Sequence, residues 1–276
     1  MVKKLLNFTK IEHTAFSLPI IFGGAWLGAN GHWPSLKITF LILIAAVGAR
    51  IFGMACNRIF DRKLDALNPR TANRELPMGD MSLINALSVA AAGLTSYLIA
   101  CLLLGEWCFK LSFLPLIPLL MYSLLKRFTW LCHFGIGLCL SLAPLGAFVA
   151  TAGNLRFSLP VLFFAFFVFC WMSGSDIIYA IMDIESDRIN NVFSLPARFG
   201  AERAIKIAAI VHGLAVLSLF GILLLQGYNS AAMIAYLLAV VVFAIMYIPA
   251  IPVGIRFFPV STIAGITGAL VPMLAG

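Results

Sequence analysis

Residues 36–65, LKITFLILIAAVGARIFGMACNRIFDRKLD, join a long apolar run to three polar side chains that carry oxygen atoms. An α-helix needs roughly 20 mainly apolar residues to cross a bilayer, and residues 36–56 meet that requirement. Asn57, Asp61 and Asp65 then follow at intervals of four residues. The stretch therefore predicts a membrane-spanning helix that ends in an acidic face.

The composition of the whole chain also indicates an integral membrane protein. Of its 276 residues, 62% are hydrophobic and 11% are charged, and the mean hydropathy is +1.02. These values lie well outside the range of soluble domains. The six cysteines include no CxxC pair and lie mostly in apolar stretches, so we interpret them as small core residues rather than metal ligands or disulfide partners.

Apolar stretches divide the chain into nine predicted spans, separated by short polar or Gly/Pro-containing segments. We expect one all-α membrane domain over residues 1–276, without a soluble domain or a long linker. A cleaved signal peptide is not expected, because further spans follow the first one. The predicted spans are residues 13–30, 36–56, 83–104, 111–125, 131–152, 157–180, 204–226, 230–252 and 257–276.

The positively charged residues predict the orientation of this bundle. Cytoplasmic loops carry an excess of Lys and Arg, and nine spans place these residues mostly on one side. The N-terminus is therefore predicted to be cytoplasmic, and the net charge of +8 is a signal of topology rather than of a nucleic-acid partner. The predicted cytoplasmic residues are Lys3, Lys4, Lys10, Arg58, Arg62, Lys63, Arg70, Arg74, Lys126, Arg127, Arg188, Arg198, Arg203, Lys206 and Arg256, and those on the other side are Lys37, Lys110 and Arg156.

Most of the acidic residues fall in two predicted cytoplasmic segments. In the first, Asn57, Asp61 and Asp65 lie about 40° apart around a helix and share one face. The second contains acids spaced by seven and four residues, which return to nearly the same angle. These second acids are Asp176, Asp183 and Asp187, whereas Glu185 points to the other side.

Such clusters predict a bound cation. Carboxylates four residues apart repel each other, and this repulsion is costly near a membrane, where the dielectric is low. Hard oxygen ligands on two opposed helices suit Mg²⁺, which binds one or two carboxylates together with substrate phosphate oxygens. Two acidic motifs thus suggest two metal ions that bridge a diphosphate. The alternative is a pair of ordinary polar loops whose acids balance neighbouring Arg and Lys.

Basic residues near the acids predict anion binding. Arg70 and Arg74 could clamp a diphosphate bidentately, or serve only the positive-inside rule. Lys126, one helical turn after Tyr122, could hold a phosphate or simply snorkel to the membrane surface. Arg50 lies inside the second predicted span, where a charge usually faces a cavity or a partner. It could hold the carboxylate of an acidic substrate, or be a snorkelling or ion-paired arginine.

Two segments resemble the signatures of a known family. NRIFDRKLDALNPRTANRELP (57–77) and DIIYAIMDIESDRINNVFSLPARFG (176–200) are similar to the NxxxDxxxD and DxxxD regions of the UbiA superfamily of intramembrane aromatic prenyltransferases. The resemblance covers the whole chain in length, span number and motif placement. It implies nine helices around a central cavity that opens laterally to lipid, under a cytoplasmic cap formed by the two motif loops. It also implies a bacterial inner membrane enzyme whose active site faces the cytoplasm.

The resemblance further implies an activity and residue roles. A polyprenyl group would pass from a polyprenyl diphosphate to an aromatic acid acceptor, with Mg²⁺ as cofactor and the tail kept in membrane lipid. Asp176 and Tyr179 belong to the extended second motif, and Asp176 or Asp183 is the candidate base that takes the ring proton. By the same resemblance, two Mg²⁺ ions are held by Asn57, Asp61, Asp65, Asp183 and Asp187. The diphosphate is contacted by Arg70, Arg74 and Lys126, with Tyr122 nearby. Arg50 faces the acceptor.

The acceptor remains open at this point. The pattern resembles both the 4-hydroxybenzoate polyprenyltransferases of ubiquinone synthesis and the futalosine-route menaquinone branch, whose acceptor is a dihydroxynaphthoate. Both acceptors are hydroxylated aromatic acids, so Arg50 does not separate them. Among other classes, a CDP-alcohol phosphatidyltransferase needs a DGxxAR motif that this chain lacks. A transporter would place charged residues near the bilayer midplane, whereas here they gather at one face.

Overall fold

The computed structural model describes residues 7–9 and 14–275, and this part of the chain is all-helical, with no β-strand. A helix satisfies every backbone polar group within its own segment, which the interior of a bilayer requires. The helices are α1 (Thr14–Gly28), α2 (Leu36–Leu67), α3 (Leu83–Leu104), α4 (Glu106–Leu111), α5 (Phe113–Leu125), α6 (Cys132–Ala152), α7 (Leu159–Tyr179), α8 (Ile184–Ile189), α9 (Leu195–Phe199), α10 (Ala201–Gln226), α11 (Ser230–Ile245), α12 (Val253–Ile255) and α13 (Ser261–Leu274).

Within the described residues, seven helical stretches are long and apolar enough to cross a membrane. Two further apolar helices, Ser17–Gly28 and Ser230–Ile245, are shorter and coincide with the first and eighth predicted spans. Lys3, Lys4 and Lys10, which contributed to the predicted orientation, lie outside the described residues. The seven stretches are Leu36–Leu67, Leu83–Leu104, Glu106–Leu125, Cys132–Ala152, Leu159–Ile189, Ala201–Gln226 and Val253–Leu274.

Helix α2 continues well past the predicted end of its span at residue 56. It begins where the Ser35 side chain accepts a hydrogen bond from the Ile38 N–H, and it ends before the Asn68–Pro69 pair. A residue that precedes proline disfavours the helical conformation, which explains the end point. Asn57, Asp61 and Asp65 therefore lie in the last turns of one continuous helix, and the prediction of a shared face is confirmed.

The second acidic segment is less regular than predicted. Helix α7 ends at Tyr179, and a 3₁₀ turn over Ala180–Asp183 precedes α8. A 3₁₀ turn has about 3.0 residues rather than 3.6, so the equal angles expected for Asp176 and Asp183 assumed a regular α-helix that is not present. The tighter turn separates the surroundings of these two carboxylates.

Helix α7 lies at the centre of the bundle, packed against α6 and α10. Phe164, Phe167 and Trp171 are buried along it, and the Trp171 indole N–H donates to the Ser261 carbonyl at 2.9 Å. Phe163 and Phe166 are exposed on the outside. The phenylalanine-rich segment 163–169 of α7 thus has some side chains packed in the core and others exposed on the outer surface of the bundle.

Small residues bring the helices around the cavity into close contact. A methyl group on Gly48 of α2 would lie 2.7 Å from the backbone nitrogen of Tyr97 and 2.8 Å from the carbonyl oxygen of Gly93, both on α3. On α1, a methyl group on Gly24 would lie 2.2 Å from the carbonyl oxygen of Pro144 on α6. Such contacts are typical of helix association in membranes. The contact at Gly48 holds α2, which carries the first motif, against α3.

Candidate active site

The first acidic motif lies in the last turns of α2 and is almost completely buried. Asp61 is 1% exposed and Asp65 is 5% exposed. Asn57 donates from Nδ2 to Oδ2 of Asp61 at 2.9 Å, and the Lys126 ammonium lies 2.7 Å from the same oxygen. Arg74 donates from Nη1 to Oδ1 of Asp65 at 2.7 Å. Each carboxylate of this motif is therefore neutralised by a base from another part of the chain.

The connection that follows α2 reaches across to the second acidic motif. Arg70 donates to both oxygens of Asp183, from Nε at 2.9 Å and from Nη2 at 2.6 Å, and from Nη1 to the Tyr179 hydroxyl at 2.6 Å. Asn68 donates to Oδ1 of Asp183 at 2.8 Å. Burial opposes a charge on Arg70, but the hydrogen bonds to Asp183 and the electrostatic effects of neighbouring acidic groups together outweigh it and raise the pKa of Arg70. The two motifs, distant in sequence, thus face each other.

Asp187 is held from its own side of the site. The Ser194 hydroxyl donates to Oδ2 of Asp187 at 2.8 Å and also accepts a hydrogen bond from the Ala197 N–H, which caps the start of α9. The α5–α6 connection supports the same region, because the Phe193 N–H donates to the Lys126 carbonyl at 2.7 Å. The segment after α8 is therefore tied both to an acid of the second motif and to the residue that pairs with Asp61.

Asp176 lies one helical turn before Tyr179 and has a different partner. Its Oδ2 is 2.7 Å from Nδ1 of His133 at the start of α6. The Asp176 side chain is 27% exposed, whereas that of His133 is 3% exposed. Asp61, Arg50 and Asp176 all lie close enough to Tyr122 to act on it electrostatically. Asp176 therefore belongs to the same site, but on the side of Tyr122 and Arg50.

A cavity of about 430 Å³ lies between α2, α5 and α6, next to the first motif. Its lining is mainly apolar, and Arg50 and Tyr122 are among its few polar residues. The α2 part of the lining runs from Ile42 to Met54, a length of about 18 Å along a helix. Met54, which also lines the cavity, precedes Asn57 by less than one helical turn. The arrangement is a charged mouth above a deep apolar chamber.

The oxygen atoms at this mouth suit a hard cation. Oδ1 of Asp61 and Oδ2 of Asp65 are buried and have no hydrogen-bond partner among the described residues. Buried polar atoms normally have such a partner, and carboxylate oxygens are the usual ligands of Mg²⁺. In residues 7–9 and 14–275, no three His, Cys, Asp or Glu side chains are already grouped as a metal centre. The acids instead pair with the bases that surround them.

Ten of the twelve predicted site residues fall into four groups. The first group contains Asn57, Asp61 and Lys126, and the second contains Asp65 and Arg74. The third contains Arg70, Tyr179 and Asp183, and the fourth consists of the cavity-lining residues Arg50 and Tyr122. Asp176 and Asp187 lie outside these groups, with His133 and Ser194 as their respective partners.

Several residues of the site were not singled out from the sequence. Asn68, His133 and Ser194 each contact an acid of the site. An ionisable residue in a predicted membrane span indicates a functional position, so His133 could have been found by that criterion. Asn68 and Ser194 carry no comparable signal, because both are common turn and cap residues. Arg58, predicted in a cytoplasmic loop, instead lies within α2 and is 4% exposed.

The sequence profile of the UbiA prenyltransferase family matches residues 17–252. A 4-hydroxybenzoate octaprenyltransferase from Coxiella burnetii is 32% identical over 221 residues, which cover 80% of this chain and 75% of that protein. A 4-hydroxybenzoate octaprenyltransferase from Shewanella woodyi is 30% identical over 78% of this chain and 73% of that protein.

Solved structures share the fold. The apo structure of a UbiA homolog from Aeropyrum pernix K1 superimposes with a TM-score of 0.80 at 33% identity and covers 96% of both chains. A UbiA homolog from Archaeoglobus fulgidus, solved with GPP and Mg²⁺, has a TM-score of 0.73 at 20% identity and covers 98% of this chain and 99% of that one. At this lower identity the second likeness concerns the fold alone.

Proposed function

The chain belongs to the UbiA prenyltransferase family, and from this premise we propose that it transfers a polyprenyl group from a polyprenyl diphosphate to a hydroxylated aromatic acid of the 4-hydroxybenzoate type in respiratory quinone biosynthesis. The relatives from Coxiella burnetii and Shewanella woodyi are named for that acceptor. The Archaeoglobus fulgidus homolog binds a prenyl diphosphate together with Mg²⁺. Both properties suit the charged mouth and the apolar chamber of this protein.

One observation carries the proposal. Asp61, Asp65 and Asp183 are each paired with a base, and the bases Lys126, Arg74 and Arg70 are suited to phosphate oxygens. A ligand that contains both cations and an anion could replace both partners of each pair, because its cations can bind the acids and its anion can bind the bases. A magnesium-bound diphosphate is such a ligand, and the adjacent cavity would take its apolar tail.

The residues that would hold Mg²⁺ are Asn57, Asp61, Asp65, Asp183 and Asp187. Oδ1 of Asp61 and Oδ2 of Asp65, which are buried and accept no hydrogen bond from the described residues, support this assignment, although Nη2 of Arg127 lies 3.7 Å from Oδ1 of Asp61. When bound, Mg²⁺ supplies positive charge that stabilises the departing diphosphate. The protein adds Arg70, Arg74 and Lys126, which lie at the mouth and could stabilise the charge that develops on the leaving group once the ligands have replaced their acidic partners.

The bond changes follow from this arrangement. The allylic C–O bond of the donor breaks and its electron pair leaves with the diphosphate, while an electron-rich ring carbon of the acceptor forms a C–C bond to the same carbon. The ring then loses a proton and becomes aromatic again. Asp176 is the better-placed acceptor for that proton, because Asp183 is among the residues that would hold Mg²⁺, whereas the partner of Asp176 is His133. Arg50, in the cavity wall near Tyr122, would bind the carboxylate of the acceptor.

The apolar chamber explains why the reaction takes place in a membrane. Each buried CH₂ group contributes about 0.8 kcal/mol of hydrophobic free energy, so a polyprenyl tail is far more stable in lipid or in an apolar cavity than in water. Four of the helical stretches of membrane-spanning length contribute residues to the lining of this cavity, namely Leu36–Leu67, Leu83–Leu104, Glu106–Leu125 and Cys132–Ala152. We infer that the tail leaves the cavity laterally into the bilayer.

The topology is part of the proposal. Nine crossings, with α1 and α11 as shorter spans, place the N-terminus and both acidic motifs on the same side, and the excess of Lys and Arg there favours the cytoplasm. The loops after α2 and α8 would form the cap over the site. The chain would then act as a single domain over residues 1–276 in a bacterial inner membrane, and its contacts are with lipid and substrates rather than nucleic acid.

A prenyl-transfer assay tests the proposal. Membranes that contain the protein are supplied with Mg²⁺, a polyprenyl diphosphate and either 4-hydroxybenzoate or 1,4-dihydroxy-6-naphthoate, and products are identified by mass. Prenylated 4-hydroxybenzoate that disappears with EDTA is the expected result. Product from the naphthoate alone would move the protein to menaquinone synthesis. No EDTA-sensitive product from either acceptor would contradict the proposed acceptor class.

A further inference from the structure

His133 is a buried histidine that connects two parts of the site. It lies at the second position of α6 and is 2% exposed. Its Nδ1 is 2.7 Å from Oδ2 of Asp176, and its Nε2 accepts a hydrogen bond from the Leu195 N–H at 3.2 Å. Both ring nitrogens are therefore engaged, one with an acid on α7 and the other with the backbone at the start of α9.

These two contacts define the protonation of the ring. A nitrogen that accepts a backbone N–H carries no proton, so Nε2 of His133 is the unprotonated nitrogen. The ring proton is then on Nδ1, from which it is donated to Asp176. Oδ2 of Asp176 is consequently held in one direction. Among the described residues no hydrogen bond reaches Oδ1, which leaves that oxygen as the one that can face an acceptor.

The backbone contact of His133 extends to the second motif. Leu195 follows Ser194, whose hydroxyl donates to Asp187. Leu195 also begins the short helix α9, and the residue before Ser194, Phe193, is hydrogen-bonded to the α5–α6 connection. His133 thus belongs to the same hydrogen-bonded unit as Asp187, and the two residues are connected through Leu195 and Ser194.

We propose that His133 is a positioning residue, which uses its two ring nitrogens to hold the Asp176 carboxylate and the 194–199 segment in one fixed arrangement. The proposal rests on the proposed function, because Asp176 is taken there as the group that receives the ring proton. Both ring nitrogens of His133 are bonded and the ring is buried, so His133 acts on the site through Asp176 and the 194–199 segment. Its role is geometric.

Two substitutions separate the two contacts. In His133→Asn the amide nitrogen can take the place of Nδ1 and still donate to Asp176, whereas in His133→Gln the longer side chain reaches the position of Nε2 and can accept from Leu195. We expect kcat for prenyl transfer to fall about 10- to 100-fold in His133→Gln and in His133→Ala, a range typical of a lost group that orients a reacting side chain. The kcat of His133→Asn should stay within a few-fold of the wild-type value. KM for the prenyl diphosphate should change little in all three variants.

A double-mutant cycle distinguishes positioning from general stability. If His133 acts through Asp176, His133→Ala should cost little further activity once Asp176→Asn is present, because residues that act as a unit are not additive. If His133 only stabilised the fold, the fold-losses in activity of the two single variants would multiply in the double variant. That outcome would overturn the proposal. His212→Gln serves as a matched control, since His212 is another buried histidine, bonded to Tyr247 and to the Trp171 backbone.

A second measurement does not depend on activity. Amide hydrogen exchange of residues 194–199 should accelerate in His133→Ala and remain slow in His133→Gln and Asp176→Asn, because only the first variant removes the acceptor of the Leu195 N–H. Unchanged protection in His133→Ala would refute the tie to α9. If the wild type prenylates neither acceptor, the proposed function has failed, and the exchange result still decides whether His133 holds this segment.

Discussion

At the scale of single residues, the acids of the two motifs are held by partners that are distant in sequence. Arg70 reaches Asp183 across 113 residues, and Lys126 reaches Asp61 from the end of α5. Buried carboxylates are costly unless they are paired. The bases at the mouth therefore have two functions, since they stabilise the free protein and are available to a phosphate ligand.

Replacement of one motif acid tests the assignment of the metal ligands. Asp61→Asn or Asp183→Asn is expected to lower kcat by about 10²–10³-fold, the usual cost of removing one group that stabilises charge in a transition state. The variants should still elute as folded protein in detergent. Glu202→Gln is the control, because Glu202 is an exposed acid on α10 that is paired with Lys206 and has no contact with the residues of the two motifs among the ion pairs described. Full activity in either motif variant would exclude its carboxylate from the reaction.

Arg50 offers a separate test of acceptor binding. Arg50→Gln removes the charge from the cavity wall, and the loss of a charged hydrogen bond of about 1.5–3 kcal/mol corresponds to a rise of roughly 10- to 100-fold in KM for the aromatic acid. KM for the prenyl diphosphate should stay the same. Arg156→Gln, an exposed arginine at the opposite end of the bundle, is the charge-matched control. An equal rise in both KM values would place Arg50 at the donor instead.

At the scale of helices, the sequence predicts the positions of the spans and the shared face of the first motif. Both depend on local patterns, namely apolar runs and a spacing of four residues in a continuous helix. The 3₁₀ turn after Tyr179 was not predictable in this way, because no proline or glycine marks it. The contacts Asn68–Asp183 and His133–Asp176 depend on how helices pack, which spacing within one segment does not define.

The contact between α2 and α3 is the packing feature on which the first motif most depends. Gly48→Ala places a methyl group against backbone atoms of Gly93 and Tyr97, which cannot move without a shift of the helix. Such overpacking costs about 1–3 kcal/mol. We expect a lower Tm in detergent and reduced prenyl transfer. Gly213→Ala on α10, where a methyl group would meet open space, should leave both unchanged. An unaltered Tm in Gly48→Ala would show that the two helices separate easily.

At the scale of the whole molecule, the bundle separates two chemical environments. The paired acids and bases of the two motifs lie at the mouth, near the ends of α2, α5 and α7, while the cavity below is lined mainly by apolar side chains. A substrate with a charged head and an apolar tail fits only in one direction. The bases of the mouth are partly buried, which strengthens their interactions with a diphosphate compared with those of fully exposed side chains.

The paired acids and bases predict that Mg²⁺ and a diphosphate bind cooperatively. Either ligand alone must break ion pairs such as Arg70–Asp183 and leave one partner without a counter-charge, whereas both together replace each partner. Ligands that bind the folded state raise its apparent stability, and coupling between them is reciprocal. The increase in Tm with Mg²⁺ plus geranyl thiodiphosphate should therefore exceed the sum of the increases with each alone, and Asp61→Asn should abolish the excess. Simple additivity would mean that the ion pairs persist in the loaded protein.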